Sequence, residues 1–334
     1  MRLLSLLVGG MFVLNASAAE SPYATLEPLD GRFDALIAPD TKIEMIADDL
    51  QWSEGPLWDP QRQALYFSDI PRNVVMQWQA GKGVSVYLEK SGYTGTAPFT
   101  GREPGSNGLT FDLQGRLTLC QHGDRRVSRR EADGTMTALA SAYEGKKLNS
   151  PNDCVFDREG NLWFTDPPYG LPGTFDDKTK ELPYQGVYRV SKDGAIRLAT
   201  RLLEAPNGLA FSPDYKTLYV ANSQTGKPIW MAFTVAADGS LDQGRVFADA
   251  TKLYRQGDGV PDGMKLDVHG NLFATGPGGV LIYTPEGVLL GRILTGVPTA
   301  NVAWGEDGST LFITANHRVL RLRTKTSGMP LPAD

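Results

Sequence analysis

The sequence predicts an all-β protein built as a single six-bladed β-propeller with four-stranded blades. One hairpin frame recurs six times, and each copy is followed by further β-type runs. No stretch keeps apolar spacing of three and four over a dozen residues, as an amphipathic helix would.

The frame is a small or polar opener, a short apolar strand, a turn with Gly or Asp, and a second strand rich in Leu, Phe and Tyr. Its first copy is E-G-P-L-W-D-P-Q-R-Q-A-L-Y-F-S-D from Glu54, and the others open at Asn107, Asn152, Asn207, Asp262 and Ala300. Four strands in units of roughly 40–55 residues are the signature of propeller blades. A β-sandwich does not explain why the same hairpin returns without linkers. The sixth copy supplies three clear strands, ending at H-R-V-L-R-L-R-T, while the run K-I-E-M-I-A-D stands without a partner before the first opener. That N-terminal run is expected to form the outer strand of the sixth blade, closing the ring and removing an exposed edge. The expected organisation is a secretory signal over 1–19, an extension over 20–40, the propeller over 41–325 and a tail over 326–334.

A net charge of -5 with no basic stripe excludes a nucleic-acid partner, whose binding is dominated by attraction to phosphates. The start, M-R-L-L-S-L-L-V-G-G-M-F-V-L-N-A-S-A-A-E, has one positive charge, an apolar run and a small-residue exit. This is the pattern of a cleaved signal, with cleavage near residues 18–19 and a secreted or periplasmic product. The run is shorter than the roughly 18–20 residues needed to span a bilayer, so no stable membrane association is expected after cleavage. Cys120 and Cys154 each lie in an apolar strand-like run; a disulfide and two buried thiols are both compatible with this, and neither has metal-site or CxxC spacing.

In a blade the start of the first strand and the end of the second lie on one face. The six openers should therefore ring one mouth of the channel, with Asp69, His122, Asp166, Asn222 and Asn316 around them. Oxygen donors without Cys suit a hard cation such as Ca²⁺ or Mg²⁺. Asn and Asp also favour the turns that lead into strands, but Glu54 fits turn chemistry poorly.

S-E-G-P-L-W from Ser53, S-P-N-D from Ser150, A-P-N-G-L-A-F-S from Ala205 and P-D-G-M-K-L-D from Pro261 occur in this order. With them the chain resembles the family of senescence marker protein, gluconolactonase and luciferin-regenerating enzyme over residues 46 to 322. N-S-P-N-D, W-F-T-D-P-P-Y-G and C-Q-H-G-D-R-R-V look most like the bacterial gluconolactonase branch. The resemblance implies a six-bladed propeller holding one divalent metal ion, Ca²⁺ first, with Mg²⁺, Mn²⁺ or Zn²⁺ as alternatives. Glu54, Asn207 and Asp262 would bind it, and Asn152 would be either a fourth ligand or a holder of substrate hydroxyls. Some animal members carry an arginine where this chain has Ser150, so hydroxyl recognition must be arranged differently here.

The implied activity is hydrolysis of a sugar lactone of the glucono-1,5-lactone kind. A metal would polarise the carbonyl, and Asp262, with His122 and Asp166 as alternatives, would take a proton from water. Asn107 keeps the turn and faces substrate. The insertion from Asp166 to Gly186 leaves its blade on the metal face, so Tyr169, with Phe175, is expected to wall the pocket. No G-x-S-x-G elbow supports a serine route. Another ester, lactone or organophosphate substrate and a noncatalytic, metal-stabilised binding propeller are the competing readings.

Overall fold

Each copy of the hairpin frame folds as the inner half of one four-stranded antiparallel blade. The computed structural model describes residues 22–254 and 257–332, so the expected signal segment lies outside the described residues. The six innermost strands are Ser53–Asp59, Ser106–Phe111, Cys154–Phe156, Pro206–Phe211, Met264–Leu266 and Asn301–Gly305, and each blade is built outward from its own. Among the described residues helix is confined to Phe33–Leu36 and a single 3₁₀ turn, Thr174–Asp176.

Ring closure follows the expectation. Ile43–Ala47 pairs antiparallel with Arg318–Arg323, Ile43 opposite Leu322, as the outer strand of blade 6. A second covering strand was not foreseen: Thr25–Pro28 pairs with Leu289–Leu294, Thr25 opposite Leu294, as a fifth strand on blade 5. Its period is too short for the alternation of faces to register in sequence.

The core is distributed between blades. Trp58, Leu65 and Phe67 of blade 1 pack on Phe312 and Val319 of blade 6, and Trp163 and Val187 of blade 3 pack on Leu209, Phe211 and Phe233 of blade 4. Cys120 and Cys154 belong to the cluster between blades 2 and 3 and are buried free thiols. Blades buried on both faces read as nearly continuous apolar runs, as the strands L-Y-F and L-W-F do.

Around the channel the inner strands come closer than side chains would permit. Gly55 adopts φ 54°, and a Cβ there would stand 2.2 Å from the Asn107 carbonyl oxygen of the next blade. A Cβ on Gly108 would meet Asp153 Oδ1 at 2.5 Å, and one on Gly263 would meet the Asn301 amide at 1.8 Å. Backbone hydrogen bonds bridge the same seams, with the Gly108 N–H donating to Asn152 O at 2.8 Å and the Gly263 N–H to Ala300 O at 2.7 Å. Hydroxyls near the ends of the second strands reinforce them: Ser68 Oγ donates to Asn107 O at 2.8 Å, and Thr275 Oγ1 donates to Ala300 O at 2.9 Å. Gly263→Ala is therefore expected to cost about 1–3 kcal/mol of stability by overpacking this seam. Denaturant unfolding against wild type measures it, and an unchanged midpoint would refute the close-packing account.

Candidate active site

The inner strands all begin at one mouth of the channel. Glu54, Asn107, Asn152 and Asn207 are buried there, and Asp262 is half-buried. Four copies of the frame have Gly after the opener, but blade 3 has Asp153 and blade 6 has Asn301. Both are buried and project into the space that the glycines leave. The Asn301 amide Nδ2 lies 3.3 Å from Glu54 Oε2 and 3.4 Å from Asp153 Oδ2, tying the two carboxylates together. Its own Oδ1 accepts the Val302 N–H at 2.9 Å, which fixes the amide's orientation. Asp153 and Asn301 are site residues that the motif reading missed. The available signal was their departure from Gly at a fixed position of the repeat.

Three carboxylates thus share a poorly solvated mouth. Burial pushes Glu54 up to about 8, and the neighbouring Asp153 charge adds to the shift. Burial also raises Asp153. Asp262 is held well above the carboxylate range by burial and then by the charges of Glu54 and Asp153. Lys265 offsets part of the upward shift on Glu54 and Asp153. Asn207 Nδ2 donates to Ser223 Oγ at 2.9 Å, while its buried Oδ1 has no hydrogen-bond partner among the described residues.

A hard divalent cation fits this donor set. It would relieve the mutual repulsion and give the orphaned Asn207 oxygen a partner. Among the described residues no three His, Cys, Asp or Glu side chains form a ligand group by themselves. Amide oxygens of the Asn207 and Asn152 kind would have to complete the coordination.

The ends of the second strands do not surround the mouth as expected. Asp69 is paired with Ser53, one residue before the opener, and so faces away from Glu54's side of the sheet. Its carboxylate instead accepts the N–H groups of Gln51 and Trp52 at 3.2 and 3.1 Å. Asp166, the alternative proton acceptor, is likewise committed: its two oxygens accept the N–H groups of Asn149 and Ser150 at 2.7 and 2.8 Å. Burial raises it to about 7. Asn222 Oδ1 accepts the Ala205 N–H at 3.0 Å, and Asn316 offers its carbonyl to the Ser53 N–H at 2.8 Å. These side chains and carbonyls hold the loops that deliver the openers.

His122 differs, because it lies one residue past the strand Leu117–Gln121. Its ring is buried, with Nδ1 2.9 Å from Glu103 Oε2. Glu103 comes from the long connection between Gly83–Glu89 and Ser106–Phe111, which the motif reading did not single out. That connection meets the blade 3 insertion where the Arg102 N–H donates to Gly170 O at 3.1 Å. Tyr169 is half-buried, its ring edge-on to the exposed Phe175 at 5.9 Å between centroids. Burial raises the Tyr169 phenol, and the Asp262 and Glu103 carboxylates raise it further, which sets this ring beside the acid cluster.

A cavity of about 970 Å³ opens elsewhere, lined by Trp58, Arg62, Phe111, Trp304 and the C-terminal Met329–Pro332. Its carboxylates are occupied by arginines, with Arg116 at 2.7 Å from Asp112 and Arg321 at 2.8 Å from Glu306. Volume alone therefore does not mark the reactive end.

The fold and this mouth define a six-bladed propeller with an acid and amide cluster at one end of its channel. The pattern described as the SMP-30/Gluconolactonase/LRE-like region matches residues 52–317, and the chain belongs to that family. It is 42% identical over 303 residues to a gluconolactonase of Zymomonas mobilis, covering 89% of this chain and 85% of that protein. The structure of a gluconolactonase from Xanthomonas campestris superposes with a TM-score of 0.78 at 33% identity, covering 92% of this chain and 97% of the other. A calcium-binding regucalcin from Agrobacterium tumefaciens shares the fold with a TM-score of 0.66 at 21% identity, covering 85% and 94%.

The raised carboxylates make a signed prediction for the metal-free protein. A group whose folded value lies above its unfolded value stabilises the fold below the unfolded value and loses that contribution as pH rises through the folded one. For Glu54 the window runs from 4.5 to about 8. Chelator-treated protein should lose melting temperature across this window, and a divalent cation should restore most at its upper end. A melting temperature that rises steadily across the window, or no response to cations, would refute the shared-charge account.

Proposed function

We propose that this protein hydrolyses a sugar lactone of the glucono-1,5-lactone kind to the aldonic acid, with a divalent cation, Ca²⁺ first, at the channel mouth. The observation that carries this reading is the convergence of Glu54, Asp153 and Asp262 with the unpartnered Asn207 oxygen. Likeness to gluconolactonases over most of the chain supports the substrate class, and likeness to a calcium-binding relative supports the cation.

Glu54, Asn207 and Asp262 would hold the ion, with Asn152 beside them. When bound, it supplies Lewis-acid polarisation of the lactone carbonyl. The protein's own part is positioning. Asn301 keeps Glu54 and Asp153 in register, and the blade 3 insertion, latched to the segment of Arg102, would set Tyr169 at the wall of the pocket. Asn152 and Asn107 offer amides to the hydroxyls of a sugar acid. Export, as the N-terminal segment suggests, would let the enzyme act on lactones formed outside the cytoplasm.

Acid release from glucono-1,5-lactone, with the spontaneous rate subtracted, tests the reading. Activity should fall on chelation and return with a divalent cation. Glu54→Gln and Asp262→Asn should each lower kcat/KM by about a hundredfold or more. Activity indifferent to chelator and to both substitutions would remove the metal from the reaction. A panel of other lactones, esters and phosphotriesters fixes the substrate class.

A further inference from the structure

We propose that His122 is the group that moves the proton in this reaction and that Glu103 is its positioning residue; the inference rests on the lactonase reading. Of the three proton acceptors the sequence offered, Asp166 has both oxygens engaged by backbone N–H groups. Asp262, as a cation ligand, shares its lone pairs with the ion and is a weakened base. His122 remains, and its surroundings suit the task.

The geometry selects one tautomer. Glu103 Oε2 lies 2.9 Å from Nδ1, so the neutral ring donates Nδ1–H to the carboxylate and carries its lone pair on Nε2. Nε2 is buried and has no hydrogen-bond partner among the described residues. Leaving such an atom unpaired is costly, and a substrate or water in the pocket supplies the missing partner. The ring packs beside the segment that leads to Asn152. A side chain on Gly170 would stand 2.8 Å from His122 Cβ and 2.4 Å from Ser150 Oγ, so His122, Ser150 and Gly170 pack as one surface two residues from Asn152. Ser150 Oγ accepts the Gly170 N–H at 2.9 Å, which holds that surface. The Glu103 charge also acts on Asp262 and Tyr169.

The step balances without a co-reactant. Water's oxygen bonds to the lactone carbonyl carbon as one of its protons passes to Nε2. The tetrahedral centre then collapses, the ring C–O bond breaks, and the ring oxygen takes that proton back from Nε2 as it leaves as a hydroxyl. His122 ends neutral, and the product is the open-chain hydroxy acid.

The test uses the full-length protein loaded with a divalent cation and assayed on glucono-1,5-lactone, with melting temperature recorded for every variant. His122→Gln should lower kcat by about 10²- to 10⁴-fold with KM within about threefold. Glu103→Gln, which keeps an acceptor for Nδ1–H but removes the charge, should lower kcat by about 10- to 100-fold at similar KM. Because Glu103 acts through His122, adding Glu103→Gln to His122→Gln should cost less than about twofold more. Should His122→Gln fail to fold, Glu103→Gln decides alone. An active wild type whose kcat is unchanged in the folded variants, or fully additive losses in the double variant, overturns this inference and leaves the lactonase reading standing. A wild type with no activity above the spontaneous rate overturns the lactonase reading and this inference with it.

Discussion

Six inner strands crowd around one channel, and the closeness of their approach sets everything built on them. Where Gly55, Gly108 and Gly263 lie, the next blade's backbone or side chain occupies the place of a Cβ. Backbone N–H groups and the hydroxyls of Ser68 and Thr275 bind the carbonyls across these seams. Such packing leaves little freedom for the residues that precede the glycines. The openers are therefore held rigidly at one rim, as a site dependent on orientation requires.

The same crowding creates the electrostatic problem at that rim. Asp153 takes the glycine position in blade 3, beside Glu54 and Asp262, in a place with little water. Burial raises all three carboxylates, neighbouring carboxylate charge adds to it for Glu54 and Asp262, and Lys265 and the Asn301 amide offset part of the shift on Glu54 and Asp153. Like charges gathered at a buried mouth, with the Asn207 amide oxygen unpaired among the described residues, support the proposed cation. The two insertions are latched to each other through Arg102 and Gly170. They also bring Glu103 to His122, from segments with no counterpart in the repeated frame.

Much of this was legible in the chain. The repeat located all six inner strands, and counting strands per unit foretold that Ile43–Ala47 would complete blade 6. Every copy begins at the same end of the channel, where Glu54 and Asp262 stand close to Asp153. The second-strand ends were misjudged for a local reason. Asp69 pairs with Ser53 and not with Glu54, and one residue of register sends a side chain to the opposite face. Asp69, Asp166 and Asn222 thus pin loops, a role that the antiparallel register alone decides. Asp153 follows the opener Asn152 in S-P-N-D, where its break with the glycine rule is visible in the sequence.

The sequence by itself determined the six-fold β architecture, its closure and the oxygen-rich rim, because hairpin periodicity and opener chemistry are local properties repeated along the chain. Only the tertiary structure decided which carboxylates share one desolvated space, which are spent on backbone N–H groups, and which loop meets His122. Those outcomes depend on register, on the spacing between blades and on the paths of two insertions. Each is set by contacts between residues far apart in sequence, where no local pattern records the partner.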